Sequence, residues 1–400
     1  MTTREKPPPW RSLSLDQPER QLYLVPVGRL VGAAAAAAVT AGWAWRLAGG
    51  PLAFTGCRII LRRSPRQVEE TPASVGDIAA WMHGEPDPVL RHHLESLVDR
   101  LIAVRPPFAG LPVDRPRVMG VINVTPDSFS DGGRFAQPSA AIAHGLALRE
   151  AGADILDVGG ESARPGAAPV GPAEEMRRIL PVVRGLAEAG AIVSVDTRRA
   201  PVMAAAIETG AAIINDISGL SGDPGALPVV AAGRAAVILM HMQGEPSTMQ
   251  TAPRYGCVAP DVYDYLADRL AVCRRAGIAP ERLCADPGIG FGKTVDHTRQ
   301  LMSGLALFHG LGVPLLLGVS RKSFIARMSR GEGTGDRLAG SLAAALAGLD
   351  QGVQIVRVHD VGQTRQAIAV WSGTAEGSCR MTADDGSDTV TADSGQMSGR

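Results

Sequence analysis

Aromatic residues are scarce in this chain of 400 residues, at 4% against 45% for hydrophobic types as a whole. A core short of rings must be built from Ala, Gly, Leu and Val, which suits close packing of helices on strands and argues against a disordered chain. Net charge is missing too. Forty basic residues balance forty acidic ones, leaving no field to draw in nucleic acid or an anionic membrane, so a small molecule is the better partner. The five cysteines (Cys57, Cys257, Cys273, Cys284, Cys379) are odd in number and show no CxxC spacing. Neither a disulfide framework nor a zinc site is indicated, and a cytoplasmic location fits. A long hydrophobic run is absent as well. The segment open to that reading, Leu30 to Trp45, is rich in Ala and Gly and lies between Arg29 and Arg46. It falls below the roughly 20 strongly apolar residues of a membrane span, and the charged stretch before it is unlike a signal peptide. An Ala-rich helix is expected there.

What the chain does contain falls into three parts. Residues 1–115 open with a Pro-rich, charged tail and suggest a small accessory region: Phe54 to Leu61 reads as a strand, and Leu90, Leu94, Leu97 and Leu101 give Val89 to Val104 the pattern of an amphipathic helix. His92 and His93 are adjacent on that helix and point about 100° apart, so a solvated face is expected rather than a metal site. The connector RPPFAGLPVDRPR, with four prolines, marks a boundary. Residues 116–375 are then expected to form a second unit able to fold alone, and residues 376–400, small, polar and acidic, a disordered tail.

Within the second part, short apolar runs alternate with helical patterns eight times, ending near Asn123, Val158, Asp196, Asp216, Met240, Asp286, Gly318 and Val358. Between them lie sets such as Met176, Ile179, Leu180 and Val183 at helical spacing. Eight βα units predict a TIM (β/α)8 barrel in the α/β class. An open doubly wound sheet would more often carry GxGxxG after its first strand, and that fingerprint is absent. GIGFGKT is no Walker A loop either, because the required first glycine falls on Pro287.

In such a barrel the residues at the carboxyl ends of the strands converge on one pocket. Every strand supplies a polar group there. Asn123 follows the first, Glu161 and Arg164 the second, Asp196 the third, Asn215-Asp216 the fourth, His241 the fifth, Asp286 the sixth, Arg321-Lys322-Ser323 the seventh, and Arg357 with His359 the eighth. Arg164, Arg357 and His359 are donors suited to phosphate oxygens. Asp196, Asn215 and Asp286 suit the amidine-like edge of a planar heterocycle, and Lys322 a ring carbonyl. The combination predicts a polar flat ring joined to a diphosphate.

The run NVTPDSFSDGG after the first strand resembles the first signature of the dihydropteroate synthases, and DVGGESARPGA, SVDTRR, INDISG, LMHMQGEPSTMQ, DPGIGFGKT, SRKSF and RVHDV are similar to that family's further blocks, in order. The resemblance implies condensation of p-aminobenzoate with a dihydropterin diphosphate, a target of sulfonamides. It implies that Asp196, Asn215, Asp286, Lys322 and Arg357 hold the pterin, and that Asn123, Arg164, Arg357 and His359 take the diphosphate, with Asn123 near a Mg2+ ion. Phe129, Pro165, Phe291 and Ser323 would line the p-aminobenzoate slot; Asp286, Lys322, Arg357 and His359 would carry the chemistry, and a homodimer is expected. Ala163 stands where the family usually has Thr or Ser. Two other readings are a corrinoid methyltransferase sharing the pterin-binding barrel, which would have no use for the diphosphate grip, and a catalytically silent pterin-binding homologue.

Overall fold

Eight short apolar segments become the staves of the barrel: β5 (Arg117–Asn123), β6 (Ile155–Gly159), β7 (Val193–Asp196), β8 (Ile213–Asp216), β9 (Ala236–Met240), β10 (Leu283–Asp286), β11 (Leu316–Gly318) and β12 (Ile355–Val358) follow four strands of an N-terminal sheet. The computed structural model describes residues 15–124, 138–161 and 170–376. All the barrel strands are parallel, in the order β10-β9-β8-β7-β6-β5-β12-β11, and a parallel bridge between Ala285 and Leu315 joins the two ends. Strands covered on both faces need apolar side chains at successive positions, which is why they read as runs without alternation. The expected strand ends agree with those observed to within one residue.

Helices follow the strands and turn one face inward. In Pro172–Glu188 the buried residues include Ile179, Val182, Val183 and Leu186, with Pro172 in the first turn, where its missing N–H costs nothing. Hydrophobic side chains between helices and strands form the largest core, and a second layer of Met119, Ile155, Ile213, Ile238, Cys284, Leu316 and Ile355 fills the barrel floor. Phe108, fully buried, and Val113 belong to that floor layer. The Pro-rich connector therefore plugs the bottom of the barrel.

The N-terminal sheet consists of β1 (Leu22–Leu30), β2 (Trp45–Arg46), β3 (Ala53–Ser64) and β4 (Gln67–Ser74), with β3 paired antiparallel to each of the others. The Ala-rich segment forms the helix Gly32–Thr40, and Pro88–Ile102 forms the expected amphipathic helix, N-capped by Asp87 and burying Leu90, Leu94, Leu97, Val98 and Leu101. His92 is exposed, while His93 is half-buried with Nε2 3.4 Å from the Leu22 carbonyl, so only one of the pair lies on a solvated face.

Both faces of this sheet are covered. Leu22, Leu24, Ile59 and Leu61 meet the sheet's own helices, whereas Tyr23, Val25 and Ile60 enter the core shared with the barrel. Tyr23 meets Tyr263 edge to face, with ring centroids 5.5 Å apart. Burying Val25 and Ile60 contributes about 1.5–3 kcal/mol each, a large share of the roughly 5–15 kcal/mol that holds a whole domain together. Ion pairs reinforce the seam: Arg20 with Asp268 at 2.7 Å, Arg29 with Asp350 at 2.7 Å, and Arg62 with Asp261 and Asp264 at 2.8 and 3.0 Å. No helix of the described residues is long and apolar enough to cross a membrane.

Candidate active site

Of the polar residues anticipated at the strand ends, Arg357, Asp196 and Asn215 are brought together, joined through Asp157. Arg357 Nε donates to Asp157 Oδ2 at 2.6 Å and its Nη2 to Asp196 Oδ2 at 2.9 Å, while Asn215 Nδ2 donates to the same Asp157 oxygen at 3.2 Å. In-register pairing places these strand ends: Asn123 lies beside Gly159, Gly159 beside Asp196, and Asp196 beside Asn215. Burial raises the Asp196 carboxyl above its usual range, opposed by Arg357 and reinforced by Asp157. For Arg357, burial works against the cation, but Asp157 and Asp196 more than reverse it and its pKa is raised.

Asp157 was not among the residues that sequence reasoning selected. It sits inside β6, in ILDVG, and is fully buried, with its Oδ1 making no hydrogen bond among the described residues. A charged residue in the middle of a strand otherwise buried on both faces was the available signal, because such a charge needs partners.

Asp286 ends β10, is buried, and accepts the Gly288 N–H at 2.7 Å. Burial pushes its carboxyl up, and Lys322 pulls it back. Lys322 donates to the Ile289 carbonyl and stands 4.6 Å from the centre of the Phe291 ring. Burial lowers its ammonium to about 8, with Asp286 opposing. The residue before it, Arg321, adopts a left-handed φ of 58°, uncommon for a side chain with a Cβ, and is held there by an ion pair with Asp360 and by Ser341 Oγ accepting its N–H at 2.8 Å. His359 Nδ1 lies 3.1 Å from Ser320 Oγ, which also accepts the His359 N–H. Ser323 is exposed at the start of the helix Ser323–Met328. Phe129, Ala163, Arg164 and Pro165 lie outside the described residues. Glu161, just before that second stretch, takes the Arg199 fork at 2.8 and 3.0 Å and accepts the Val170 N–H at 3.1 Å.

Lys293 was also missed. It is buried, and its Nζ lies 2.9 Å from His241 Nδ1 and donates to the carbonyls of Gly288 and Phe291 at 2.9 and 3.0 Å. Burial first, and Lys293 second, depress the His241 imidazole to about 2, which keeps it neutral and able to accept. Among the described residues no group of three or more His, Cys, Asp or Glu could hold a metal ion.

A closed parallel barrel with carboxylates, an amide and an arginine at its strand ends has donors and acceptors suited to a polar ligand. The sequence profile described as pterin binding enzyme matches residues 119–359. The chain belongs to the pterin-binding enzyme family. It is 48% identical to a dihydropteroate synthase of Escherichia coli over 265 residues, which is 66% of this chain and 93% of that one. Among solved structures it resembles the Yersinia pestis dihydropteroate synthase in a sulfonamide drug complex, with a TM-score of 0.63 and 43% identity, covering 67% of this chain and 97% of that one. It also resembles the Xanthomonas albilineans dihydropteroate synthase in complex with 7,8-dihydropteroate, at a TM-score of 0.60, 45% identity and coverage of 66% and 95%.

Proposed function

We infer that this protein is a dihydropteroate synthase, a transferase that joins p-aminobenzoate to (7,8-dihydropterin-6-yl)methyl diphosphate and releases diphosphate. The observation that carries the reading is the barrel's buried acceptor set around Arg357. Asp157 Oδ1 is buried without a partner, a costly state unless a ligand N–H completes it. Asn215, bonded to the other Asp157 oxygen, and Asp286, both buried, suit the remaining donors and acceptors of a pterin ring, and Lys322 suits its carbonyl.

In the reaction, the bond from the pterin methylene carbon to the diphosphate oxygen breaks and a bond to the aromatic amine nitrogen forms, with loss of one amine proton. Asp286, raised in pKa yet balanced by Lys322, holds the ring in the orientation that lets its nitrogens share positive charge developing at the methylene carbon. Arg164 and His359 are assigned to the departing diphosphate. Arg357 flanks the pterin and completes the diphosphate grip, while Asp157 and Asp196 fix its guanidinium plane. Phe291, with Pro165, Phe129 and Ser323, is assigned to the p-aminobenzoate slot. An aromatic amine is nucleophilic when neutral, so the site has to position it and exclude water rather than activate it.

Asn123, half-exposed at the end of β5, fits a Mg2+ site in which substrate phosphates and waters supply most ligands, as this ion prefers. When bound, the ion would neutralise charge on the leaving diphosphate. A homodimer and a cytoplasmic location belong to the same reading; the four described cysteines are free thiols, in keeping with a reducing compartment. So does the division into residues 1–115, 116–375 and 376–400, with Phe108 and Val113 of the first part lending their side chains to the barrel floor. The test is diphosphate release by the purified protein with and without p-aminobenzoate. Release that depends on the amine supports the reading, and a wild type without turnover contradicts it.

A further inference from the structure

The segment between β9 and the helix Val258–Arg275 is gripped from two sides. On one side stands the N-terminal sheet. At the turn between β3 and β4 the Pro65 carbonyl approaches Gly256 so closely that a Cβ on Gly256 would lie 1.9 Å from its oxygen. Three residues earlier, in β3, Arg62 Nη2 donates to Asp261 Oδ1 at 2.8 Å, and Asp261 Oδ2 accepts the N–H groups of Gly256 and Cys257 at 2.8 and 3.1 Å. Arg62 itself is fixed by Asp264, which also accepts from Tyr23.

On the other side stands the loop after β10. From Gly288 to Gly292 every carbonyl takes a side-chain donor: Lys293 at Gly288 and Phe291, Lys322 at Ile289, Gln250 at Gly290 at 2.5 Å, and Tyr255 at Gly292 at 2.7 Å. Gln250 and Tyr255 come from the segment that the N-terminal sheet grips. A continuous set of contacts thus runs from Arg62 through Asp261, Gly256 and Tyr255 to the backbone on either side of Phe291. Residues before 119 lie outside the span that the pterin-binding family profile matches.

We propose that Arg62 is a positioning residue for the condensation, setting the p-aminobenzoate slot from outside the barrel by holding the Gly256 segment and, through it, the Gly288–Gly292 loop. This rests on the dihydropteroate synthase reading. The Gly256 segment reaches the loop at Gly290 and Gly292, on either side of Phe291, whereas the loop's contacts with the pterin-assigned residues, Gly288 N–H to Asp286 and Lys322 to the Ile289 carbonyl, lie at its other end, so the effect falls on the amine substrate more than on the pterin.

The experiment uses the full chain and the variants Arg62→Met, Gly256→Ala and, as a control, Arg29→Met, which breaks a different contact between sheet and barrel. Losing one or two loop hydrogen bonds corresponds to a rise of about threefold to tenfold in KM for p-aminobenzoate. That rise is expected in Arg62→Met and Gly256→Ala, with KM for the pterin diphosphate moving by less than about twofold, while Arg29→Met moves neither. Arg62→Lys, which keeps the charge, should recover part of the change. Unchanged KM for p-aminobenzoate in Arg62→Met, or an equal rise in Arg29→Met, overturns the proposal. Amide hydrogen exchange over residues 288–292, read without substrate, should quicken in Arg62→Met and Gly256→Ala only. Should the wild type lack turnover, the functional reading falls, and this exchange measurement still decides whether Arg62 orders the loop; equal exchange in wild type and variants overturns that.

Discussion

Replacing Asp157 by Asn tests the buried centre of the site. The carboxylate holds Arg357 Nε at 2.6 Å and Asn215 Nδ2 at 3.2 Å, and its Oδ1, without a partner among the described residues, is the atom assigned to a ligand donor. In Asp157→Asn one oxygen becomes an NH2 group. If the remaining oxygen keeps Arg357, the NH2 faces the ligand's own N–H; if it turns, the NH2 faces a guanidinium. Either arrangement loses one hydrogen bond to a charged group, roughly 1.5–3 kcal/mol, which is about 10-fold to 150-fold in affinity for the pterin diphosphate. Stability falls less than the roughly 3–5 kcal/mol expected when a buried charge is stranded, because Arg357 keeps Asp196 at 2.9 Å. The Asp157 charge also helps push the Asp196 carboxyl up, so Asp196 should ionise at lower pH in the variant. Titration calorimetry with the pterin diphosphate, alongside a melting curve, reads both quantities. A folded variant that binds as tightly as wild type refutes the reasoning.

Three further outcomes follow from other parts of the molecule. Lys322 has its ammonium lowered to about 8 by burial, so its cationic form is lost as pH rises through that value; pterin diphosphate affinity should fall above pH 8 in wild type and hold in Lys322→Arg, and identical profiles would contradict the assignment. Phe108→Ala leaves a cavity in the barrel floor, costing about 3–5 kcal/mol; denaturant midpoints should drop while the KM values of the folded enzyme stay put. Burial raises Asp264 to about 6, with Arg62 opposing. Its folded-state pKa lies above the unfolded one, so the stability it contributes is full below about pH 4 and is lost as pH rises through about 6; the stability difference between wild type and Asp264→Asn should decline across that window, and a flat difference would count against the raised pKa.

The barrel was legible because parallel strands covered on both faces must be apolar throughout, and because polar residues directly after such runs can only gather at one end. Asp286 and Asn215 stand at their strand ends as that rule expects. Asp157 escaped it, since the rule looks after the strand and Asp157 lies within it. The N-terminal sheet was harder to read. LYLVPV in β1 shows no alternation because Tyr23 and Val25 face the barrel while Leu22 and Leu24 face the sheet's own helices, and nothing in a strand's composition says which partner covers its second face. The connector read as a boundary from its prolines, yet Phe108 and Val113 in it complete the barrel floor. Lys293 and Tyr255 were invisible for a related reason: their acceptors are backbone carbonyls, which carry no residue-specific signal.

The central claim is that the ring around Arg357 binds a pterin diphosphate and delivers its methylene carbon to an aromatic amine. The most direct measurement is the stoichiometry of diphosphate and dihydropteroate formed by the purified full-length protein as p-aminobenzoate is titrated in. One diphosphate is expected for each dihydropteroate, with release rising and saturating with the amine. Diphosphate release at the same rate without the amine, or no product in its presence, would contradict it.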